Sequence, residues 1–508
     1  MSDSLLEDSS VVRLHHLDNV VVAARRLAAG TRLAGEHVTL SENIPSGHKI
    51  ATVAIPAGAP VRKYGQVIGA ATRDIAPGAL VHSQNLAMSE LREAAGRQEA
   101  WRHNQEPRSF DGYRRADGRV GVRNYLGVLT SVNCSATVAR HIAEAAKQTG
   151  LLDDFPNIDG IVPITHGSGC GMAASGEGFE ILRRTLWGTA ANANFGAVLL
   201  VGLGCETMQI ARLKDEYGLS ENGGFQSFTI QDVGGTRKAI EEGLARLREM
   251  LPAVNAARRS EVPASEIILG LQCGGSDAWS GVTSNPALGN ASDRLAALGA
   301  AVLLSETPEI YGAEHLLYAR ATSPEVSAKL RARLDWWEHY TSIHGGEMDN
   351  NPSPGNKAGG LTTILEKSLG AVAKSGTSPL VDVIEYGEPV KKPGLNFMDS
   401  PGFDPCSATG QVASGATMIA FTTGRGSAYG CQPSPSIKLS SNTAIYERMK
   451  DDIDIDCGGI ASGAATIEQK GAEILDYLLA VASGKHSKSE ELGYGGMEFV
   501  PWQIGAVM

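Results

Sequence analysis

The chain is short of several things, and each shortage excludes a class of protein. Cysteine is sparse and odd in number, seven in 508 residues, so a disulfide framework is excluded and a reducing, cytoplasmic setting is expected. No block of Lys and Arg stands out, and the formal net charge is −11 at pH 7. A nucleic-acid partner, whose phosphates must be neutralised, is therefore not expected. No uninterrupted apolar run reaches the roughly 20 residues that span a bilayer, so no membrane partner is expected. Residues 1–10 are acidic and polar, unlike a secretory leader. Two nucleotide signatures are also missing. The Gly202-Leu203-Gly204 stretch has Thr207 where a dinucleotide loop needs its third glycine, and Glu206 would repel a pyrophosphate. Gly355-Asn356-Lys357 lies in a proline-rich loop rather than between a strand and a helix, as a phosphate loop would.

What is present is apolar sequence broken by glycine. Hydrophobic residues make up 42% and charged residues 20%, enough to bury a core. The 60 glycines have no period, which favours many tight strand-to-helix turns. The length suggests about three domains at roughly 150 residues each. Residues 11–87 read as a small β-rich module, a β-clip, with strands at 11–14 and 19–24 and turns such as Ala28-Ala29-Gly30-Thr31. Residues 88–110 read as a polar linker that includes a helix over 89–97. From 111 to 254, and again from 265 to 508, near-continuous apolar strands alternate with helices. That pattern predicts mostly parallel sheets covered on both faces. The expected class is α/β: an N-terminal β-clip, then a large α/β region in two subdomains.

Ligands of open α/β sheets bind at the carboxyl ends of strands. Five expected strand ends carry polar clusters: Thr165-His166-Gly167-Ser168-Gly169-Cys170, Gly204-Cys205-Glu206, Cys273-Gly274-Gly275-Ser276-Asp277, Glu306-Thr307-Pro308-Glu309 and Gly424-Arg425-Gly426. Together they predict a composite active site. Cys134, Cys170, Cys205 and Cys273 each follow a strand and read either as small packing residues or as thiolate ligands of iron or an iron–sulfur cluster. His16 and His48 lie in turns of the small module, either solvated or serving a metal or acid–base role. His166 is the candidate acid or base of the larger region. Arg114, Arg115, Arg119 and Arg123 read as a solvated hairpin or as a bidentate carboxylate clamp. Lys357 and Arg425, in glycine-rich loops, are placed to meet an anion.

Taken together, His16-Leu17-Asp18-Asn19-Val20, Gly47-His48-Lys49, Tyr113-Arg114-Arg115, Gly121-Val122-Arg123-Asn124, Gly202-Leu203-Gly204-Cys205-Glu206, Gln272-Cys273-Gly274-Gly275-Ser276-Asp277, Asn351-Pro352-Ser353-Pro354-Gly355-Asn356-Lys357 and Thr423-Gly424-Arg425-Gly426 resemble the altronate/galactarate dehydratase family. Those are hydro-lyases of hexonates and hexarates. The likeness runs from about residue 11 to about 485. Glu306-Thr307-Pro308-Glu309 and Asn356-Lys357-Ala358-Gly359-Gly360 are similar to the altronate branch, whereas Val132-Asn133-Cys134-Ser135 and His166-Gly167-Ser168-Gly169-Cys170 depart from both branches. The resemblance implies an SAF-type β-clip domain, a small anionic sugar acid as partner, a homo-oligomer, and a divalent metal, Fe2+ or Mn2+.

Dehydration of a 2,3-dihydroxy acid needs a base for the weakly acidic C2 proton, a cation for the developing dianion, and an acid for the 3-hydroxyl. The expected roles are as follows. His16 and His48, with Glu206 or Glu306, hold the metal. His166, His48 and Cys170 serve catalysis. Arg425, Lys357, Arg123, Ser276 and Asp277 bind substrate. Closure of the small module over the large region completes the site. The alternatives are a cluster on Cys134, Cys170, Cys205 and Cys273, elimination of bisulfite from sulfolactate, and sugar-acid binding without catalysis.

Overall fold

The computed structural model of the protein describes residues 10–88 and 105–505. Short β-branched segments between glycine turns build the N-terminal module. Val11–Val12, Val20–Ala23, Lys49–Ala51 and Leu80–Val81 form a four-stranded antiparallel sheet, and Pro60–Lys63, Gln66–Ala71 and Leu86–Ala87 a three-stranded one. Gly78 shows why glycine is needed at these turns: it stands at φ +82°, where a Cβ would lie 2.1 Å from the Thr39 carbonyl oxygen. The helix expected over 89–97 and most of the linker lie outside the described residues. The linker's last residues already belong to a strand, Ser109–Arg114. It pairs with Val120–Gly121 on one side and Ser260–Pro263 on the other. The polar stretch between the two expected α/β regions, residues 255–265, is thus partly a strand, closing a small sheet where the chain enters and leaves the second domain.

That domain holds β1 (Tyr125–Thr130), β2 (Gly160–Ile164), β3 (Phe195–Gly202) and β4 (Phe225–Thr229) in the parallel order β2-β1-β3-β4. Every residue of β1 is buried, as a sheet covered on both faces requires. The third domain is built on seven parallel strands: β5 (Ile268–Cys273), β6 (Ala301–Leu304), β7 (Leu380–Ile384), β8 (Gly394–Met398), β9 (Met418–Thr423), β10 (Ser436–Ser440) and β11 (Ile455–Asp456). Their order is β7-β8-β6-β5-β9-β10-β11. The chain starts at the centre, winds outward through β6, then crosses to β9 on the other side of β5. The direction reverses there, so the crevice outside the carboxyl ends of β5, β6 and β9 is the switch point where such sheets bind ligands. Among the described residues no helix is long and apolar enough to cross a membrane.

The β-clip is not a separate body. Val61, Ile68 and Leu86 belong to the same buried cluster as Leu269, Leu304 and Leu369. A charge cluster pins the seam. Glu366, on α1 (Ile364–Ala373), accepts from Lys49 and Lys63 of the β-clip, each at 2.9 Å, and from the Thr362 amide and hydroxyl at 3.0 and 2.7 Å. Lys49 also donates to the Gly360 carbonyl at 2.8 Å. Burial works to raise the Glu366 carboxyl, and the two ammoniums more than reverse it, holding the group well below the usual carboxylate range. Closure of the small module, as expected from the sequence, would require it to open first, stranding buried charges. The module is therefore a docked wall.

Candidate active site

Strand β5 ends at Cys273, and β6 leads through Ser305 to Glu306, with Glu309 in the helical turn Thr307–Ile310. Glu306 stands at φ +75°, a left-handed conformation uncommon outside glycine. The Cys273 sulfur and one carboxylate oxygen each of Glu306 and Glu309 lie within 4.8 Å of one another, and all three residues are buried. Helix α1 sets two lysines against them. Lys367 donates to Glu309 at 2.7 Å and to the Asn351 side-chain oxygen at 2.9 Å. Lys374, at the helix C-cap, donates to Cys273 Sγ at 2.9 Å and lies 3.5 Å from Glu306. The lysines are two helical turns apart and so share one face. Asp404 opens α2 (Asp404–Ala413). Asp404, Glu309, Lys367, Cys273 and Arg425 line a cavity of about 310 Å³. Arg425 also lines a second cavity of about 670 Å³ at the seam with the β-clip, and among the described residues nothing pairs with its guanidinium.

Burial governs how these groups titrate. It pushes the Cys273 thiol up to about 12. It raises the Glu306 carboxyl well above the usual range, and the Glu309 charge adds to the effect. Asp404 is raised to about 6, by burial first and Glu309 second. For Lys367 and Lys374 burial disfavours the ammonium, but the carboxylates and thiol around them outweigh it and raise both. The site therefore combines positive charge with two carboxyls, Glu306 and Asp404, that hold their protons more tightly than usual. Both oxygens of Glu306 are buried without a hydrogen-bond partner, a loss of roughly 1–3 kcal/mol per group unless a proton or cation serves them. Two carboxylates and a thiol suit a divalent transition ion, so these residues fit a metal.

The residues expected from the sequence are distributed as follows. His16 is exposed, its ring 4.3 Å from that of His15. His48 stacks on His82 at 5.3 Å, and His82 Nε2 meets the Lys357 carbonyl at 2.9 Å, so His48 lies at the domain seam, where burial lowers its pKa. Glu206 is in the second domain, where it accepts from the Ser131 hydroxyl and the Gly204 amide, each at 2.6 Å. Of the four residues expected to hold the metal, Glu306 is the one in the Cys273–Glu309 group. His166 is buried, donates to the Thr130 carbonyl at 3.0 Å and accepts from the Ser168 amide at 3.2 Å. Burial lowers its pKa to about 4, so the ring is neutral and both nitrogens are engaged.

The expected substrate residues divide. All five guanidinium donors of Arg123 are engaged, by Glu490 and the carbonyls of Val122, Val481 and Lys485, so it ties domains together and has no donor left for a substrate. Arg115 is likewise held by Ala193, Arg123 and Asn124. Asp277 accepts from the Trp279 and Ser280 amides and from Ser280, Ser441 and Asn442 side chains, and lines the larger cavity. The Ser276 carbonyl accepts from Asn356 at 2.8 Å. Lys357 lies on the short helix Pro354–Ala358, whose neighbours line both cavities. Cys134, Cys170 and Cys205 are exposed in the second domain, apart from Cys273. Sequence reasoning did not assign Glu309, Lys367, Lys374 or Asp404. The available signal was the run from Ile364 to Lys374, an apolar helix carrying lysines seven residues apart.

A buried carboxylate–lysine–thiol group at the switch point of a parallel sheet, fronted by an arginine that no group among the described residues pairs with, is the kind of site an α/β enzyme carries. Three family models match in succession: the altronate/galactarate dehydratase SAF domain over residues 9–89, the second domain of D-galactarate dehydratase/altronate hydrolase over 112–255, and the C-terminal region of D-galactarate/altronate dehydratase over 264–507. Galactarate dehydratase (L-threo-forming) of Escherichia coli strain K12 is 39% identical over 487 residues, 93% of each chain. Altronate dehydratase of Bacillus subtilis strain 168 is 35% identical, covering 95% of this chain and 97% of its own. Altronate dehydratase of Escherichia coli strain K12 is 37% identical, covering 94% and 96%. The chain belongs to the D-galactarate/altronate dehydratase family, among the hydro-lyases.

Proposed function

We propose that the protein removes water from a six-carbon sugar acid, an altronate-type aldonate or galactarate-type aldarate, and releases a 2-keto-3-deoxy acid. The observation that carries this reading is the buried group of Cys273, Glu306, Glu309, Lys367 and Lys374 beside Arg425, which is unpaired among the described residues. Arg425 takes the substrate carboxylate bidentately, with Lys357, Ser276 and Asp277 around it. Asp404, ionised above about pH 6, removes the C2 proton. Lys367 and Lys374 stabilise the negative charge that develops on the enediolate, in a cleft where little water screens them. The C3–O bond then breaks, and the Lys367 ammonium protonates the departing hydroxyl. The enol so formed tautomerises to the keto acid. A divalent ion, Fe2+ or Mn2+, would be held by Cys273, Glu306 and Glu309 and would supply Lewis-acid stabilisation of the substrate oxygens.

The test is incubation of the purified protein with altronate, galactarate, other aldonates and aldarates, and sulfolactate, with Mn2+ or Fe2+ under reductant. The expected product is a 2-keto-3-deoxy acid from at least one sugar acid. Release of sulfite from sulfolactate with no sugar acid turned over would overturn the proposal.

A further inference from the structure

We propose that the second domain carries an iron–sulfur cluster held by Cys134, Cys170 and Cys205. This inference does not depend on which acid the third domain processes. Seven cysteines divide into four buried ones and these three exposed ones, although unpaired cysteine is among the residue types most often buried. Each of the three follows one of three neighbouring parallel strands: Cys134 after β1, Cys170 after β2, Cys205 after β3. The loops that carry them are knitted together. The Asn133 amide donates to the Ser168 carbonyl at 2.9 Å and the Met208 amide to the Gly169 carbonyl at 3.1 Å. The Asn133 side chain donates to the His166 carbonyl at 3.2 Å, and Ser131 donates to Glu206 at 2.6 Å. A Cβ on Gly169 would lie 2.3 Å from the Ser131 carbonyl oxygen, so the loops touch. Each tie falls beside one of the cysteines or a few residues away.

Two other potential ligands nearby, Glu206 and His166, are already engaged. Glu206 is buried against Ser131 and the Leu203 and Gly204 amides, and both His166 nitrogens are hydrogen-bonded. The thiols remain as donor atoms. Gln231 donates its side-chain amide to Cys205 Sγ at 3.5 Å, the kind of contact that tunes cluster sulfurs. A single tetrahedral ion with metal–sulfur bonds of about 2.3 Å needs sulfurs about 4 Å apart. Among the described residues, the group of three ligand atoms all within 4.8 Å of one another is Cys273, Glu306 and Glu309, not these thiols. At least one pair of these sulfurs is therefore farther apart than a single ion allows, which leaves a polynuclear centre as the metal group the three could share. Clusters of this kind take four thiolates, so three leave one iron open to a ligand from outside the chain. Gly167 shares a cavity of about 350 Å³ with Pro401 and Phe403, and the adjoining Gly402 and Asp404 line the active-site cavity.

The full-length protein, reconstituted anaerobically with ferrous iron and sulfide, tests this. Iron and acid-labile sulfide should each approach about four per chain, with broad visible absorption. The Cys134→Ser, Cys170→Ser and Cys205→Ser variants should each lose most of that absorption while melting like the wild type, since these side chains are exposed. Cys273→Ser should keep it. Iron bound without sulfide, absorption that survives in the triple serine variant, or its loss in Cys273→Ser would each overturn the assignment.

Discussion

At the scale of the residue, function rests on how burial reshapes a few side chains. Arg425 is exposed and has no pairing partner among the described residues, so its replacement has little to disturb but substrate. Arg425→Met should lower kcat/KM about 10- to 100-fold, mainly through KM, with an unchanged melting temperature. Asp404 is the opposite case. Its carboxyl, raised to about 6 by burial and Glu309, binds a proton more tightly in the folded chain than in the unfolded one. The stability this gives is complete below the unfolded value and is lost as pH rises through about 6. Asp404→Asn should therefore stabilise the fold at pH 8, by on the order of 1–2 kcal/mol, and confer nothing at pH 4. It should also abolish turnover, and kcat/KM of the wild type should rise through about pH 6. Melting curves at the two pH values and a pH–rate profile decide both points. Cys273, Glu306 and Arg425 were legible because they follow strands. Glu309 lay in a motif already quoted, yet Lys367 lies inside a helix and Lys374 and Asp404 end and start helices, places where charge ordinarily means solvent.

At the scale of the element, the informative helix is α1. Its Glu366 draws Lys49 and Lys63 out of water and into the seam between domains. Removing only the carboxylate leaves two buried ammoniums without a partner. Glu366→Ala should destabilise by about 3–5 kcal/mol in denaturant unfolding, whereas exchanging all three for apolar residues of similar size should be far milder. If the single and triple variants unfold alike, the seam is not held by these charges. Strands show a related limit of sequence reading. β1, β3, β5 and β9 are apolar throughout or nearly so and announce themselves. β10 reads Ser436-Ile437-Lys438-Leu439-Ser440, a pattern expected of a half-exposed segment, yet all five residues are buried. Lys438 is accommodated because its ammonium donates to the Tyr429 carbonyl at 2.9 Å and the Tyr494 hydroxyl at 2.8 Å. Partners that distant in sequence leave no local signal.

At the scale of the whole molecule, the β-clip and the loops after β5 and β9 meet at the carboxyl edge of the seven-stranded sheet. Exhaustive chelation should silence the enzyme, and titration with Mn2+ should restore wild-type turnover but not that of Glu306→Gln. Equal recovery of the two would remove Glu306 from the metal site. The sequence by itself determined the class, the parallel sheets and the strand ends where chemistry gathers, because apolar periodicity and glycine turns are local properties of the chain. Family membership was legible from motifs spread over its length. Only the tertiary structure decided which of those polar clusters meet. Sheet order brings Cys273, Glu306 and Arg425 together from strands remote in sequence. Desolvation, which no short segment can report, decides that Arg123 and His166 brace the fold while Lys367 and Asp404 face the cavity.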